Sequence, residues 1–165
     1  MELLPYNFVF LDDDLNTFTF VNDHLLTYEV RFKESGYIFP DEPDLWPFVF
    51  EMVIVLVDRG LSPKTPLDRR IPPTVAAIFK TFLLRNERII VYICDSSDKR
   101  ETIRARKFDT WFDYYQGMEF TKINQNIIDP SGIVYLTSLI TRRDNPLKIR
   151  MITAFDKLIF GANDK

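Results

Sequence analysis

The stretch that decides the fold runs from Arg88 to Tyr115 and reads RIIVYICDSSDKRETIRARKFDTWFDYY. After Arg88 it is apolar without interruption as far as Cys94, a pattern typical of a strand that is covered on both faces. A polar turn follows, and a helix is predicted from about Lys99 to Gln116. Because α/β proteins often place a ligand where a strand enters a helix, this stretch predicts part of the core and also a candidate site.

Strong strand and helix signals lie on both sides of this stretch. Downstream, a hairpin is predicted around the turn Asp129-Pro130-Ser131-Gly132, and Asn145 is the predicted N-cap of a last helix. Upstream, apolar and polar residues alternate with period two, which is typical of antiparallel strands. The predicted strands are Tyr6–Phe10, Thr17–Val21, Leu26–Phe32, a short Tyr37–Phe39, Phe48–Asp58, Arg88–Cys94, Glu119–Ile128 and Ile133–Thr141; the other predicted helices are Pro72–Asn86 and Leu147–Phe160.

This order of elements predicts the α+β class. An N-terminal meander is followed by strand, helix, strand, helix, hairpin and helix, so we expect a bent, mostly antiparallel sheet with helices packed on its faces. The 165 residues are the size of one domain, and we expect residues 1–165 to form a single domain.

Composition excludes several classes of protein. The net charge of −3 and the pI near 5.2 give no long-range attraction for a polyanion, so nucleic acid is not an expected partner. The longest apolar run, Phe48–Val57, contains Glu51 and is too short to cross a membrane. One cysteine and no signal-peptide pattern favour a cytoplasmic protein.

The residues needed for conventional catalytic sets are scarce. His24, the only histidine, lies in a predicted hairpin turn remote from Cys94, the only cysteine, which disfavours histidine-based triads and most zinc sites. Cys94 lacks a nearby base in the sequence, so a buried core cysteine is favoured over a nucleophile. Three carboxylates at 12–14 could face a divalent cation, but a solvated turn is favoured and no metal is expected.

Three groups of residues are candidates for binding an anion. Ser96 could bind an anionic group at the helix start, although Asp98 and Glu101 resemble a capping box. Arg69 and Arg70 could hold a phosphate or carboxylate, or pair with Asp68. On one side of the next helix lie Arg100, Arg104, Lys107 and Trp111, which could bind an anion or stack on RNA, or could be a solvated face paired with nearby acids.

From Phe48 onward the order of elements resembles the later half of the GNAT acyltransferase fold. The residues that carry this resemblance are Val49–Val57, the helix entry Arg69-Arg70-Ile71-Pro72-Pro73-Thr74, the strand Ile89–Cys94 and the helix segment Arg106–Phe112. The resemblance implies that the two strands splay apart and that an acyl-CoA lies beside them. It also implies that its pyrophosphate is held by donors around Thr74 and Val75, near Arg69, Arg70, Ser96 and Arg100.

The motifs of that family are degenerate here. Counted from Arg69, the two expected glycine positions hold Pro72 and Thr74, and a proline supplies no N–H. Asp109 follows Phe108 where many of these enzymes have a tyrosine that protonates the departing thiolate. The stretches YICDSSDKR and RARKFDTWF also resemble a bacterial family of unknown function.

These observations lead to one functional hypothesis and an alternative. The first is a GNAT-like domain that binds acetyl-CoA, another acyl-CoA or a related anionic ligand, and that transfers the acyl group to an amine if it is catalytic. The alternative is a non-enzymatic protein-interaction module, which could form a homo-oligomer through its aromatic surface. A small RNA-binding protein ranks last because of the acidic balance.

Overall fold

The structure is a computed structural model that describes residues 3–58, 65–94, 101–115, 117, 119–128 and 131–161, with only the backbone described at 101–105 and 159–161. Its centre is one seven-stranded, mostly antiparallel sheet in the order β1-β2-β3-β4-β5-β7-β6. The strands are β1 (Val9–Phe10), β2 (Phe18–Val21), β3 (Thr27–Glu34), β4 (Val49–Asp58), β5 (Ile89–Cys94), β6 (Phe120–Ile128) and β7 (Val134–Arg142).

The predicted α+β class is confirmed, and so are the antiparallel meander, the long strand β4 and the C-terminal hairpin. Three α-helices accompany the sheet in the described part of the chain: α1 (Ile71–Phe82), α2 (Glu101–Tyr115) and α3 (Lys148–Gly161). None of the described helices is long and apolar enough to span a membrane.

The pair β4–β5 is the parallel pair of the sheet, and it is short. Val49, Phe50 and Glu51 face Ile89, Ile90 and Val91, and the pairing stops there. Beyond this point β4 continues beside β3 as far as the pair Thr27–Asp58, whereas β5 continues beside β7 as far as Cys94–Leu136. The two strands therefore separate, and one backbone edge of β4 has no strand partner among the described residues after Glu51.

Helices α1 and α2 cover one face of the sheet. The apolar side of α1 buries Val75, Ile78, Phe79 and Phe82, and Phe82 stacks on Phe32 of β3 with 3.9 Å between ring centroids. Helix α2 adds Phe108 and Phe112 to the same core. The other face is covered near β5 and β7 by α3 and by two short 3₁₀ helices, Gly36–Ile38 and Pro43–Phe48.

Three predicted elements differ clearly in the structure. The first strand, predicted at Tyr6–Phe10, is confined to Val9–Phe10. The short strand predicted at Tyr37–Phe39 is wrong, because Tyr37 and Ile38 lie in the first 3₁₀ helix and Phe39 is its C-cap. Gly36 packs against Trp46, and the Trp46 indole donates to the Phe39 carbonyl at 2.7 Å. Helix α1 ends at Phe82 rather than Asn86. The Arg88 guanidinium donates to the Phe82 carbonyl at 3.0 Å and lies over the Phe82 ring, so a tertiary contact caps the helix early.

Candidate functional site

The start of α1 offers no backbone donor to a ligand. Pro72 and Pro73 have no N–H, the Ile71 N–H points to the Asp68 carbonyl at 3.4 Å, and the Thr74 N–H donates to the Arg70 carbonyl at 3.1 Å. The Arg70 N–H donates to the Asp68 carboxylate at 2.9 Å. The positive end of the helix is therefore satisfied by its own chain.

Arg70 holds the N-terminal segment of the protein. Its side chain donates to the carbonyls of Leu4 and Pro5 at 2.9 and 3.3 Å, and it forms an ion pair with Asp23 at 3.3 Å. The guanidinium lies 3.9 Å from the centroid of the Tyr6 ring. Of the two alternatives weighed for Arg70, the structure has it bound within the chain, although its partner is Asp23 and not Asp68.

Thr74 and Asp68 complete the attachment of Tyr6. The buried Thr74 hydroxyl accepts the Tyr6 N–H at 2.8 Å and donates to the Arg70 carbonyl at 2.6 Å. The Tyr6 hydroxyl donates to Asp68 at 2.7 Å and accepts the Asp23 N–H at 3.2 Å. Burial, and then the hydrogen bond to Asp68, raise the pKa of Tyr6 to about 12. We call these five residues, Tyr6, Asp23, Asp68, Arg70 and Thr74, the Tyr6 network.

A cleft opens beside this network, between α1 and α2. It has a volume of about 680 Å³, and its walls come from β3, β4, residues 65–69, the start of α1, and α2. Arg69 and Lys107 are its cationic residues, and Asp68 of the Tyr6 network also lines it. The Lys107 ammonium lies 5.0 Å from the Trp111 ring centroid. We call this space the α1–α2 cleft.

The residues predicted from the sequence to bind a cofactor do not lie together at one site. Arg69 is exposed and lines the α1–α2 cleft, whereas Arg70 and Thr74 belong to the Tyr6 network. Val75 is buried in α1 and lines a small apolar hollow of about 30 Å³ between α1 and α2. Ser96 and Arg100, with the whole turn 95–98, lie outside the described residues.

A second polar site, which the sequence reasoning missed, lies on the opposite flank of α2. Lys122 of β6 points under the helix with a side chain that is only 7% exposed, and it forms an ion pair with Asp109. Its ammonium also lies 5.4 Å from the ring centroids of Phe108 and Phe112. The signal was present in the sequence, because Lys122 is two residues after Phe120 and therefore shares its inward face.

Two side chains of the hairpin β6–β7 hold the Asp109 carboxylate in place. The Asn124 amide donates to Asp109 Oδ1 at 3.2 Å, and the Ser138 hydroxyl donates to the Asn124 carbonyl oxygen at 2.7 Å. Burial lowers the pKa of Lys122 to about 8, and the interaction with Cys94 acts in the opposite direction. We call Asp109, Lys122, Asn124 and Ser138 the Lys122 network.

The Lys122 network borders two polar cavities. One, of about 390 Å³, is lined by Asp109, Asp113, Lys122, Asn124 and Arg143, together with Phe112, Phe120 and Thr121, and we call it the polar pocket. The other, of about 170 Å³, includes Cys94 at the end of β5. Helix α2 separates these cavities from the cleft, because Lys107 and Trp111 lie on one flank and Asp109 and Asp113 on the other.

The remaining candidates from the sequence do not join either site. Asp13 accepts the Thr17 N–H at 2.8 Å and the Thr17 hydroxyl at 2.7 Å, and these bonds lower the pKa of Asp13. Cys94 is buried, and His24 lies in the turn between β2 and β3. Within the described part of the chain, no group of three or more histidine, cysteine or acidic residues could hold a metal ion.

Comparison with known proteins identifies a family. Neither the curated proteins nor the solved structures gave a match to the chain. A model of a family of unknown function, DUF6169, matches residues 67–157, which is more than half of the chain and extends from the loop before α1 into α3. This match confirms the predicted resemblance to a family of unknown function, and the chain belongs to DUF6169.

Proposed function

We propose that the chain is a GNAT-like domain that binds an acyl-CoA or a related anionic ligand in the α1–α2 cleft. The observation that carries the proposal is the parallel pair β4–β5, which separates after three residue pairs, and beyond that point Ile54 of β4 lines the cleft. The resemblance noted in the sequence implies a splayed pair at this place. The strand–helix–strand–helix–hairpin order that follows supports the same assignment.

Several features of the cleft suit an extended acyl thioester. Beyond Glu51, one edge of β4 has no strand partner within the described residues, so its backbone groups can hydrogen-bond the amides of a ligand that lies along it. Ile54, Pro72 and Trp111 supply apolar surface. Arg69 and Lys107 supply positive charge for an anionic group.

The start of α1, by contrast, does not fit a pyrophosphate. Its N–H groups are absent at Pro72 and Pro73 and are used at Ile71 and Thr74. We therefore assign the anionic part of the ligand to the side chains of Arg69 and Lys107. Acyl transfer to an amine is the finer form of the proposal, and we assign no acid or base to it, because Asp109 is paired with Lys122 on the other flank of α2.

Calorimetry and thermal unfolding with acetyl-CoA test the proposal. A ligand present at 100 times its dissociation constant should raise the free energy of unfolding by about 2.7 kcal/mol. The double variant Arg69→Gln/Lys107→Gln should bind acetyl-CoA about tenfold or more weakly. The matched control replaces Lys33→Gln and Arg85→Gln, two exposed cations away from the cleft, and should leave binding unchanged.

Two results would count against the proposal. Absence of binding at millimolar acetyl-CoA would rule out an acyl-CoA ligand. Equal losses of affinity in the cleft variant and in the control would rule out the cleft as its binding site. Coenzyme A without the acyl group should bind in the same assay, since the charged part of the ligand is unchanged.

A second candidate, the non-enzymatic interaction module, has one observation in its favour. Val9, Val21 and Val57 are 60%, 51% and 49% exposed, and the strand registers put them on the sheet face opposite α1 and α2. A second copy of the chain is the partner proposed for this face. Light scattering coupled to gel filtration should then give a dimer that Val21→Lys dissociates, and a monomer at all concentrations would exclude it.

We also propose that the protein is bacterial and cytoplasmic. The single cysteine and the resemblance to a bacterial family support this location. The acidic balance supports a partner other than nucleic acid. Fractionation of cells that express the natural protein would test the location.

A further inference from the structure

We propose that the polar pocket on the Asp109 flank of α2 binds a small zwitterion of the amino-acid type, with an ammonium and a carboxylate group. This site goes beyond the proposed function, because it lies on the other flank of α2 from the α1–α2 cleft. Its volume of about 390 Å³ suits a small metabolite, since ligand pockets usually measure about 300 to 1,000 Å³.

The charges of the pocket match both ends of such a ligand. Asp109 and Asp113 are four residues apart and share one flank of α2, while Lys122 and Arg143 come from the hairpin side. Neither Asp113 nor Arg143 forms an ion pair with another side chain of the described residues. The pocket therefore presents a carboxylate and a guanidinium that are open to a ligand.

The inner wall of the pocket is already arranged to accept an ammonium group. The Asp109 carboxylate pairs with Lys122, accepts the Asn124 amide at Oδ1, and lines the pocket with 38% of its side chain exposed. Because a carboxylate has about four acceptor sites, it can accept a further donor from a ligand. Because Asn124 and Ser138 fix this carboxylate, a ligand would bind with little loss of side-chain freedom.

These contacts give each end of the ligand a partner. The ammonium group lies between Asp109 and Asp113, and the carboxylate binds the Arg143 guanidinium. A structural ion pair that only attaches α2 to β6 would need Asp109 and Lys122 but would have no use for Asp113 or Arg143. Substitutions of Asp113 and Arg143 therefore distinguish a ligand site from a purely structural contact.

The experiment compares four small molecules by ligand-observed NMR and calorimetry. L-alanine carries both charges, ethylamine carries only the ammonium, and propionate carries only the carboxylate; L-glutamine tests a longer side chain. We expect L-alanine or L-glutamine to bind at least about tenfold more tightly than ethylamine or propionate. No binding of either amino acid at about 10 mM, or equal binding of all four, would overturn the proposal.

Two variants test the location of the site. Asp113→Asn and Arg143→Gln should each weaken binding of the amino acid by about tenfold, and both residues are exposed, so the fold should be retained. Glu34→Gln and Arg85→Gln are matched controls at exposed positions outside the pocket and should leave binding unchanged. Binding that is insensitive to Asp113→Asn and Arg143→Gln would also overturn the proposal.

Discussion

The Tyr6 network and the Lys122 network are built from similar parts but are used differently. Each has one buried titratable side chain that is held by a carboxylate from a neighbouring element. In the Tyr6 network, Arg70 and Thr74 bind the N-terminal segment, so the donors at the start of α1 are used within the chain. In the Lys122 network, the Asp109 side chain stays 38% exposed and lines a pocket.

The difference shows why a cationic or hydroxyl residue at a helix start is a weak sign of a ligand site. Arg70 and Thr74 lie where the GNAT resemblance implies an anion site, yet both side chains hydrogen-bond residues 4–6 of the same chain. Asp109 and Lys122 stood out less in the sequence, and they border an open cavity. The contacts made by the rest of the chain decide which polar groups remain available.

The largest effect is expected in the Tyr6 network. Tyr6→Ala removes a buried ring that stacks on Phe20 and lies under Arg70, and it should lower the free energy of unfolding by about 3 to 5 kcal/mol. Tyr6→Phe keeps the ring and loses only the bonds to Asp68 and Asp23, so about 1 to 2 kcal/mol is expected. Denaturant unfolding measures both values.

The control for this prediction is Tyr114→Ala, which truncates an exposed tyrosine and should change stability by no more than about 0.5 kcal/mol. If Tyr6→Ala costs no more than Tyr114→Ala, the N-terminal segment does not contribute to the fold as described.

A smaller effect is expected in the Lys122 network. Asp109→Asn leaves the buried ammonium of Lys122 without its carboxylate and should lower the free energy of unfolding by about 1 to 3 kcal/mol, since Asp109 is 38% exposed. Lys122→Met replaces the ammonium by an apolar group beside Phe108 and Phe112, and a change within about 1 kcal/mol is expected.

The double variant completes a thermodynamic cycle for this pair. Once Lys122 is methionine, Asp109→Asn should cost much less than it does alone, because no buried charge is left unpaired. Additive losses would show that the ion pair is not the reason for the effect of Asp109→Asn.

The last effect is the dependence of stability on pH, and the two networks should give it opposite signs. Burial lowers the pKa of Lys122 from 10.5 to about 8, so the folded state loses this proton first and the unfolded state binds more protons between these values. The Lys122 contribution to stability therefore rises with pH between about 8 and 10.5.

For Tyr6 the direction is reversed. Its pKa is raised from 10.0 to about 12, so the folded state keeps the proton longer and stability falls as the pH rises above 10. Denaturant unfolding across this range, compared with Lys122→Met and Tyr6→Phe, isolates the two contributions. A pH profile that neither variant changes would contradict both assignments.

Much of the fold was accessible from the sequence because it depends on local patterns. The apolar run after Arg88 gave β5, the alternation at Phe18–Val21 gave β2, and Asn145 was correctly predicted as a cap, since its side chain accepts the Leu147 N–H at 2.8 Å. The strand predicted at Tyr37–Phe39 failed because a contact with Trp46, seven or more residues away, decides the backbone there.

The candidate sites were less accessible, because they depend on which side chains meet. The sequence placed Arg69 and Lys107 among the cations of interest, and both line the α1–α2 cleft. The sequence could not reveal that residues 4–6 hydrogen-bond the side chains of Arg70 and Thr74, since these residues are more than 60 positions apart. The inward direction of Lys122 could be read from period two, but its pairing with Asp109 could not.

The sequence by itself determined the elements, their order and the α+β class, because hydrophobic periodicity and turn residues act over a few positions. The tertiary structure alone decided that β4 and β5 separate after Glu51, that α1 starts without a free donor, and that α2 divides a cleft from a polar pocket. These features depend on strand register and on long-range hydrogen bonds, in which each group is used by whichever partner the packed chain brings to it.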